Sequence, residues 1–255
     1  MRLSRQFRLW RTLSSFSDVR ESLKLTRSKG SGDPVALRLK PLGGRQIVCR
    51  PGTTDLSTLY DVFVKQYHLP PAPLERPRCI VDLGANVGYT AAHFATLYPS
   101  ARILGVEMEA ANHDLATRNT ASWSDQVTMI QAAVWSQDGY ATFGGESEDG
   151  YAVNGWVAGD PSRPPSHAVR SRSVESMLRE HRIDRVDYLK MDIEGAEKEV
   201  LLDGPTDWLD NIHSMSVEIH NRADLSPYIR TLEDAGFRCW KDNRHWSCVS
   251  AVRRR

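Results

Sequence analysis

A chain of 255 residues is long enough for one large α/β domain with a well-buried core. Its 33 Lys and Arg balance 32 Asp and Glu to a net charge of +1, which excludes binding driven by a strong overall field towards nucleic acid or an anionic membrane. The longest apolar runs fall far short of the ~20 residues of a membrane span, and four cysteines without C-x-x-C spacing argue against a disulfide scaffold and a structural zinc site. These features predict a soluble protein of a reducing compartment, assigned to the cytoplasm.

In chain order, a basic arm comes first. Arg2, Arg5, Arg8 and Arg11 precede any acid, and Leu3, Phe7, Trp10 and Leu13 recur at roughly helical spacing. The pattern predicts a basic helix packed on the domain, with an organelle transit peptide as the alternative. Ser28–Pro34 is turn-rich, so residues 1–33 read as arm and linker. Residues 34–77 follow as a hairpin and a helix. Val35–Leu39 and Gln46–Cys49 alternate around Pro41–Gly44, and Asp55 opens a helix with Leu56, Leu59, Tyr60, Phe63 and Val64 on one side.

Residues 78–255 carry the main domain. Cys79–Leu83 is a buried-strand run followed by a glycine-bearing turn and a helix to Leu97. Arg102–Val106, Ala110–Ala121 and Val127–Gln131 continue as strand, helix and strand. Ala132–Phe143 reads as a hairpin around Ser136–Gly139, and Gly144–Ser166 as a long aperiodic insertion on the acceptor side. The rhythm resumes with a helix Val174–His181, a strand Val186–Met191, a helix Ala196–Leu202, a strand Ile212–His220 and a helix Leu225–Ala235. Phe237–Lys241 and Trp246–Val252 close as an antiparallel pair. Such alternation predicts an α/β fold: a Rossmann-like, doubly wound, mostly parallel sheet with a C-terminal antiparallel hairpin.

Val81-Asp-Leu-Gly-Ala-Asn-Val-Gly88 falls at the carboxyl end of the first strand of that sheet, where nucleotides bind. Gly84 suits the tight turn, and Gly88 a close approach of the next helix to the strand. A dinucleotide site would want glycine where Asn86 stands. Asp82 beside the turn would repel a diphosphate but suits the ammonium of an amino-acid moiety, which S-adenosylmethionine (SAM) has. Glu107 ends the second strand, where a carboxylate can accept both hydrogen bonds of a ribose diol. Asp82, Gly84, Ala85, Asn86, Gly88, Glu107, Met108 and Asp192 are therefore the candidate cofactor residues.

Further segments join this turn: Arg50-Pro-Gly-Thr-Thr-Asp55, Glu107–Asn119, Leu189-Lys-Met-Asp-Ile-Glu-Gly-Ala-Glu197 and Val217-Glu-Ile-His220. Together they resemble the FkbM family of SAM-dependent methyltransferases over roughly Arg50 to His220. The resemblance implies the class I methyltransferase fold and methyl transfer to an oxygen, often a hydroxyl of a sugar or polyketide-type natural product. One departure is Met108, where the family commonly has proline; its side chain is expected to face the adenine.

An alcohol acceptor needs a base. His220 is the candidate, neutral at an ordinary pKa of about 6.5, with Asp192 and Glu194 as the other catalytic candidates and Glu218 two residues earlier on the same strand face. Glu197, in the first helical turn, reads as a dipole-complementing acid. Asp192, Glu194, Glu218 and His220 could together form an oxygen-rich metal site, but clustering inferred from topology is weak ground and no metal is assigned. Trp156, in the insertion, is the one tryptophan assigned to a ring-shaped acceptor. The expected partner is a small-molecule hydroxyl acceptor, without nucleic acid or a membrane span, and homo-oligomerisation is left open. A non-catalytic SAM- or partner-binding domain and a nicotinamide-dependent oxidoreductase are the alternatives.

Overall fold

The computed structural model describes residues 33–143, 168–220 and 224–254, the backbone of 153–157, and Ser15, Ser17, Asp18, Arg20 and Leu25 of the arm. The choice between packed arm and transit peptide lies mostly outside the described residues. Within them, Ser17 bridges to Leu39 and Leu25 is buried in the core.

The hairpin forms as the alternation predicts. β1 (Val35–Arg38) pairs antiparallel with β2 (Gln46–Cys49). It is fastened to the domain by Asn119, whose amide accepts from Val48 N at 2.7 Å and donates to Val87 O at 2.8 Å, and by Tyr89, whose hydroxyl donates to Val48 O. Arg50 and the fully buried Asp55 form a bidentate pair, and Arg50 also donates to Asn112 Oδ1 at 2.6 Å. That clamp is the physical reason for the Arg50–Asp55 motif: it sets the start of α1 (Asp55–Tyr60) against the core.

The helix does not keep the predicted face. A π-turn over Asp61–Lys65 widens the spiral, so Val62 is buried and Val64 is exposed, the reverse of a regular 3.6-residue register.

β3 (Cys79–Leu83), α2 (Tyr89–Leu97), β4 (Arg102–Glu107), α3 (Ala110–Thr120) and β5 (Val127–Gln131) follow the sequence pattern closely. β6 (Ala133–Val134) and β7 (Gly139–Phe143) do not pair with each other as the hairpin reading expects. β9 (Ala168–Arg172) enters between them and pairs parallel with β6 and antiparallel with β7. β8 (Val153–Val157), within the insertion read as structureless, pairs on the outer side of β7. The result is a separate four-stranded sheet; the rest of the insertion lies outside the described residues.

α4 (Val174–Glu180), β10 (Tyr188–Met191), α5 (Glu197–Leu201), β11 (Ser214–Glu218), α6 (Ser226–Asp234), β12 (Phe237–Lys241) and β13 (Cys248–Arg253) complete the chain. The main sheet runs β12-β13-β11-β10-β3-β4-β5, parallel from β11 to β5 and antiparallel at β13 and β12. Apolar side chains fill both faces, as a parallel sheet demands: Val81, Leu189 and Val217 lie in one core, Ile80, Tyr188 and Phe94 in the other. β10 beside β3 marks the point where the strand order reverses, and the carboxyl ends there open the crevice. No helix among the described residues is long and apolar enough to cross a membrane.

Candidate active site

The turn after β3 is built by backbone constraint. Gly84 N and Ala85 N both donate to Val106 O at 2.9 Å, pinning the turn to β4. Gly84 has φ +79°, and a Cβ there would lie 1.7 Å from the Asp192 carbonyl oxygen, so glycine is needed for the ends of β3 and β10 to meet. Asn86 is also left-handed, with φ 49°, and its Oδ1 accepts from Val87 N at 2.7 Å. An asparagine that tolerates this conformation replaces the glycine of a dinucleotide turn. Gly88 corrects one expectation. Its close neighbour is Ala116 of α3, not the strand, with a Cβ placed 2.9 Å from Ala116 Cα.

The cofactor candidates separate into two groups. Gly84, Ala85, Asn86 and Asp192 line a cleft of about 610 Å³. Glu107 is 8 % exposed, and its two oxygens accept from Asn86 N and Glu109 N at 2.9 Å. This holds the carboxylate rigidly at the end of β4 with lone pairs to spare. Burial raises its pKa, and the two backbone donors oppose that rise. Met108 is half-buried and packs on Ala133, Ala141 and Val169 of the second sheet.

Asp82 is placed differently from the expectation that it faces an ammonium. It is fully buried, accepts from the Thr90 hydroxyl and lies 3.4 Å from Lys190 Nζ. Lys190 stands across the sheet between Asp82 and Ser216. Its ammonium also reaches Asp192 Oδ2 at 3.2 Å and Gly84 O at 3.3 Å. Burial alone would lower the Lys190 pKa, but Asp192 and Asp82 hold the ammonium protonated. A buried lysine in an otherwise apolar strand run was assigned no role from the sequence, and its partners are visible only once β3 and β10 are neighbours.

His220, just beyond β11, is the centre of the site. Its Nδ1 is 2.8 Å from Glu197 Oε1, while Nε2 faces Glu194 at 3.5 Å, Asp192 at 3.6 Å and Glu218 at 4.0 Å. Glu197 is 1 % exposed and also accepts from Ile193 N and Gly195 N at 3.3 and 3.2 Å. The acid read as a simple dipole complement therefore orders the 192–195 turn and orients the imidazole at once. Nδ1–H donates to Glu197, leaving Nε2 towards the cleft.

The charge state of His220 also differs from the expectation. Burial disfavours the cation, but the Glu197 hydrogen bond and the charges of Glu197, Asp192 and Glu194 prevail and push the imidazole up to about 9. Burial and neighbouring Asp192 push the Glu194 carboxyl up to about 8. At neutral pH the unliganded site holds a protonated His220 and a largely protonated Glu194.

Asp192, Glu218 and His220 present ligand atoms within 4.8 Å of one another, as do Glu218, His245 and Cys248. Lys190 already neutralises Asp192, and an imidazolium cannot ligate. Neither set is assigned an ion. The cleft wall that sequence reasoning missed comes from Thr54, just before α1, from Ser57 and Thr58 within it, and from the β12–β13 turn, with His245 and Trp246. The Trp156 side chain lies outside the described residues.

The sheet is doubly wound, with its crevice at the β3–β10 switch point. The model for the methyltransferase FkbM domain matches residues 82–239, more than half of the chain. The chain belongs to the FkbM methyltransferase family. It is 28% identical over 204 residues to methyltransferase sdnD of Sordaria araneosa, covering 66% of this chain and 76% of that protein. It is 25% identical over 145 residues to 2-O-methyltransferase NoeI of Sinorhizobium fredii, covering 51% and 59% respectively. Among solved structures it resembles a methyltransferase FkbM from Methylobacillus flagellatus, with a TM-score of 0.49 at 13% identity, over 97% of this chain and 59% of that one.

Glu197→Gln tests the orienting role, because the amide keeps the shape and can still accept from the 192–195 turn. With the carboxylate gone, the His220 pKa should fall towards the ordinary value of about 6.5. Turnover should drop roughly tenfold or more while the protein stays folded. A variant whose pH–rate profile and turnover match the parent would show that Glu197 serves only the turn.

Proposed function

We propose that this methyltransferase uses S-adenosylmethionine to methylate a hydroxyl of a small molecule of sugar or natural-product type. The observation that carries the reading is the His220–Glu197 pair, aimed into a carboxylate-rich cleft beside the Gly84–Asn86 turn. The charge of the cleft fits the cofactor. Lys190 is engaged by Asp82 and Asp192 and His220 by Glu197, so among the described residues of the cleft neither cation is left for a diphosphate, whereas Asp192 and Glu218 suit a cation. This also disfavours a nicotinamide dinucleotide. The relative named as a 2-O-methyltransferase supports oxygen as the target.

In this reading the Gly84, Ala85 and Asn86 backbone and Asp192 hold the amino-acid end of the cofactor. Glu107 takes the ribose diol, and Met108, from the end of β4, borders the base; Gly88 and Asp82 shape and charge the turn from beneath. When bound, S-adenosylmethionine supplies an electrophilic methyl group on a cationic sulfonium.

The chain does the rest. A further positive charge in the cleft lowers the affinity of His220 for its proton. A neutral imidazole would accept the acceptor's hydroxyl proton at Nε2, freeing the oxygen to take the methyl group as its bond to the sulfonium sulfur breaks. Asp192 and Glu194 orient that hydroxyl, and Glu197 keeps Nδ1 protonated throughout. Charge disperses in such a transfer, so alignment supplies most of the acceleration.

The experiment is calorimetric titration with SAM and with NAD, in the parent and in Glu107→Ala. The parent should bind SAM and not NAD. Loss of the carboxylate should cost about 1.5–3 kcal/mol of SAM affinity. Equal affinity in the variant would remove Glu107 from the cofactor site, and binding of NAD alone would overturn the reading. A mass-spectrometric screen of hydroxylated compounds for one added methyl group then identifies the acceptor.

A further inference from the structure

Part of the cleft wall is formed by the turn between β12 and β13, residues 242–247. That turn is firmly braced. The buried Asp242 accepts from Arg244 N at 2.7 Å, from the Arg244 guanidinium at 2.7 Å and from the Ser250 hydroxyl at 3.0 Å. Arg244 reaches across to Leu69 O at 3.1 Å and so ties the turn to the segment after α1. His245 packs edge-on against Tyr67 with ring centroids 4.8 Å apart, and Ser247 O accepts from Ile219 N at 2.9 Å.

One side chain of the turn departs from this pattern. Trp246 lines the cleft yet is 66 % exposed, the most exposed large apolar side chain among the described residues. A rigid turn that holds an indole open at the rim of a cleft is a preorganised stacking surface, since little side-chain or loop entropy is lost when a ring lands on it.

The charges around it constrain what that ring can be. The carboxyls of Glu194 and Glu218 border this cleft, Asp61 is paired with Lys65 at 2.6 Å, and Lys190 is spent on Asp82 and Asp192. An anionic acceptor would face the Glu218 carboxyl beside His245, with Lys65 and Lys190 already paired to acids. An uncharged ring with hydroxyl groups would find the indole on one side and the hydroxyls of Ser57, Thr58 and Ser247 nearby.

We propose that the β12–β13 turn is the acceptor subsite, with Trp246 as the residue that selects an uncharged, hydroxyl-bearing ring. The proposal rests on the methyltransferase reading of the same cleft and assigns the acceptor to this turn, where the sequence had pointed to the 144–166 insertion.

The test uses the full chain saturated with S-adenosylhomocysteine and two probes that differ in charge: phenyl β-D-glucopyranoside and phenyl β-D-glucuronide. Binding is followed by saturation-transfer NMR and calorimetry. The parent should bind the neutral glucoside at least about tenfold more tightly than the anionic glucuronide. Trp246→Ala should weaken the glucoside about fivefold or more, and Trp246→Phe should restore most of it, because an aromatic face is what the site provides. S-adenosylhomocysteine affinity is measured first on every sample and should be the same in all three proteins. A parent that does not bind S-adenosylhomocysteine overturns the methyltransferase reading and the subsite with it. A parent that binds it but takes up neither probe, binds both probes equally, or is matched by Trp246→Ala overturns the subsite alone.

Discussion

His220→Ala should lower kcat by about 10²–10⁴-fold, the usual cost of a lost acid–base group, while SAM still binds, no more weakly than to the parent. Among the described residues of the cleft, His220 has Nε2 turned inward and Nδ1 held by a buried carboxylate. Its pKa of about 9 adds a pH signature. Because that value lies above the ordinary one, the folded site binds the His220 proton more tightly than the unfolded chain does. The stabilisation this gives is complete below about pH 6.5 and disappears as pH rises through 9. Activity runs the opposite way, since the base must be neutral. The acceptor's kcat/KM should rise with pH along a limb that belongs to His220, and that limb should be absent in His220→Ala. Steady-state rates of parent, His220→Ala and Asp192→Asn between pH 6 and about 10 decide the matter. If His220→Ala keeps near-parent turnover while Asp192→Asn loses it, their roles are exchanged.

Gly84→Ala should be the most destabilising single methyl in the site. The new Cβ would lie 1.7 Å from the Asp192 carbonyl oxygen, and the residue would be held at φ +79°. Neither atom is the end of a flexible side chain. Relief requires β3 and β10 to part at their carboxyl ends, breaking the Asp192 N to Leu83 O hydrogen bond of 3.0 Å and moving Lys190 off Gly84 O. A cost of about 4 kcal/mol or more places it in the severe tail of point substitutions and corresponds to a melting temperature lower by about 10 °C in a domain of this size. Thermal unfolding of the purified variant, with the parent beside it, reads this directly. A melting point within about 2 °C of the parent would show that the strand ends are not in the contact described.

The parallel sheet was legible because its strands are buried on both faces. Cys79–Leu83 is an unbroken buried run, and its boundaries match those read from the sequence. The Gly84–Asn86 turn and Glu107 were legible for the same reason, since each terminates such a strand. Pairings that join distant segments were not. Nothing in 132–143 announces that Ala168–Arg172 will enter between its two strands, and the local turn signal at 136–139 pointed to a simple hairpin. The π-turn over Asp61–Lys65 exchanges Val62 for Val64 without any glycine or proline to mark it.

In the site, residue types were readable and their electrostatics were not. Glu197 and His220 are separated in sequence and lie on different elements, so their 2.8 Å contact arises from the packing of α5 against the end of β11. That contact, with Asp192 and Glu194 nearby, moves the imidazole from its ordinary value to about 9. Asp82, assigned from its position to an ammonium, instead sits below the surface as the counter-charge of Lys190.

The titration of His220 itself tests most directly whether this carboxylate-rich cleft is poised to release a base when a cation arrives. Imidazole resonances of the labelled protein are followed with pH in three states: alone, with S-adenosylhomocysteine, and with SAM, the His220→Ala variant supplying the assignment. The protein alone should titrate at about 9. S-adenosylhomocysteine, the product without the sulfonium charge, should leave that value nearly unchanged, and SAM, with its additional positive charge, should lower it by about one unit or more. A His220 that titrates at its ordinary value of about 6.5 in the protein alone, or one that responds identically to the two ligands, would contradict the arrangement described.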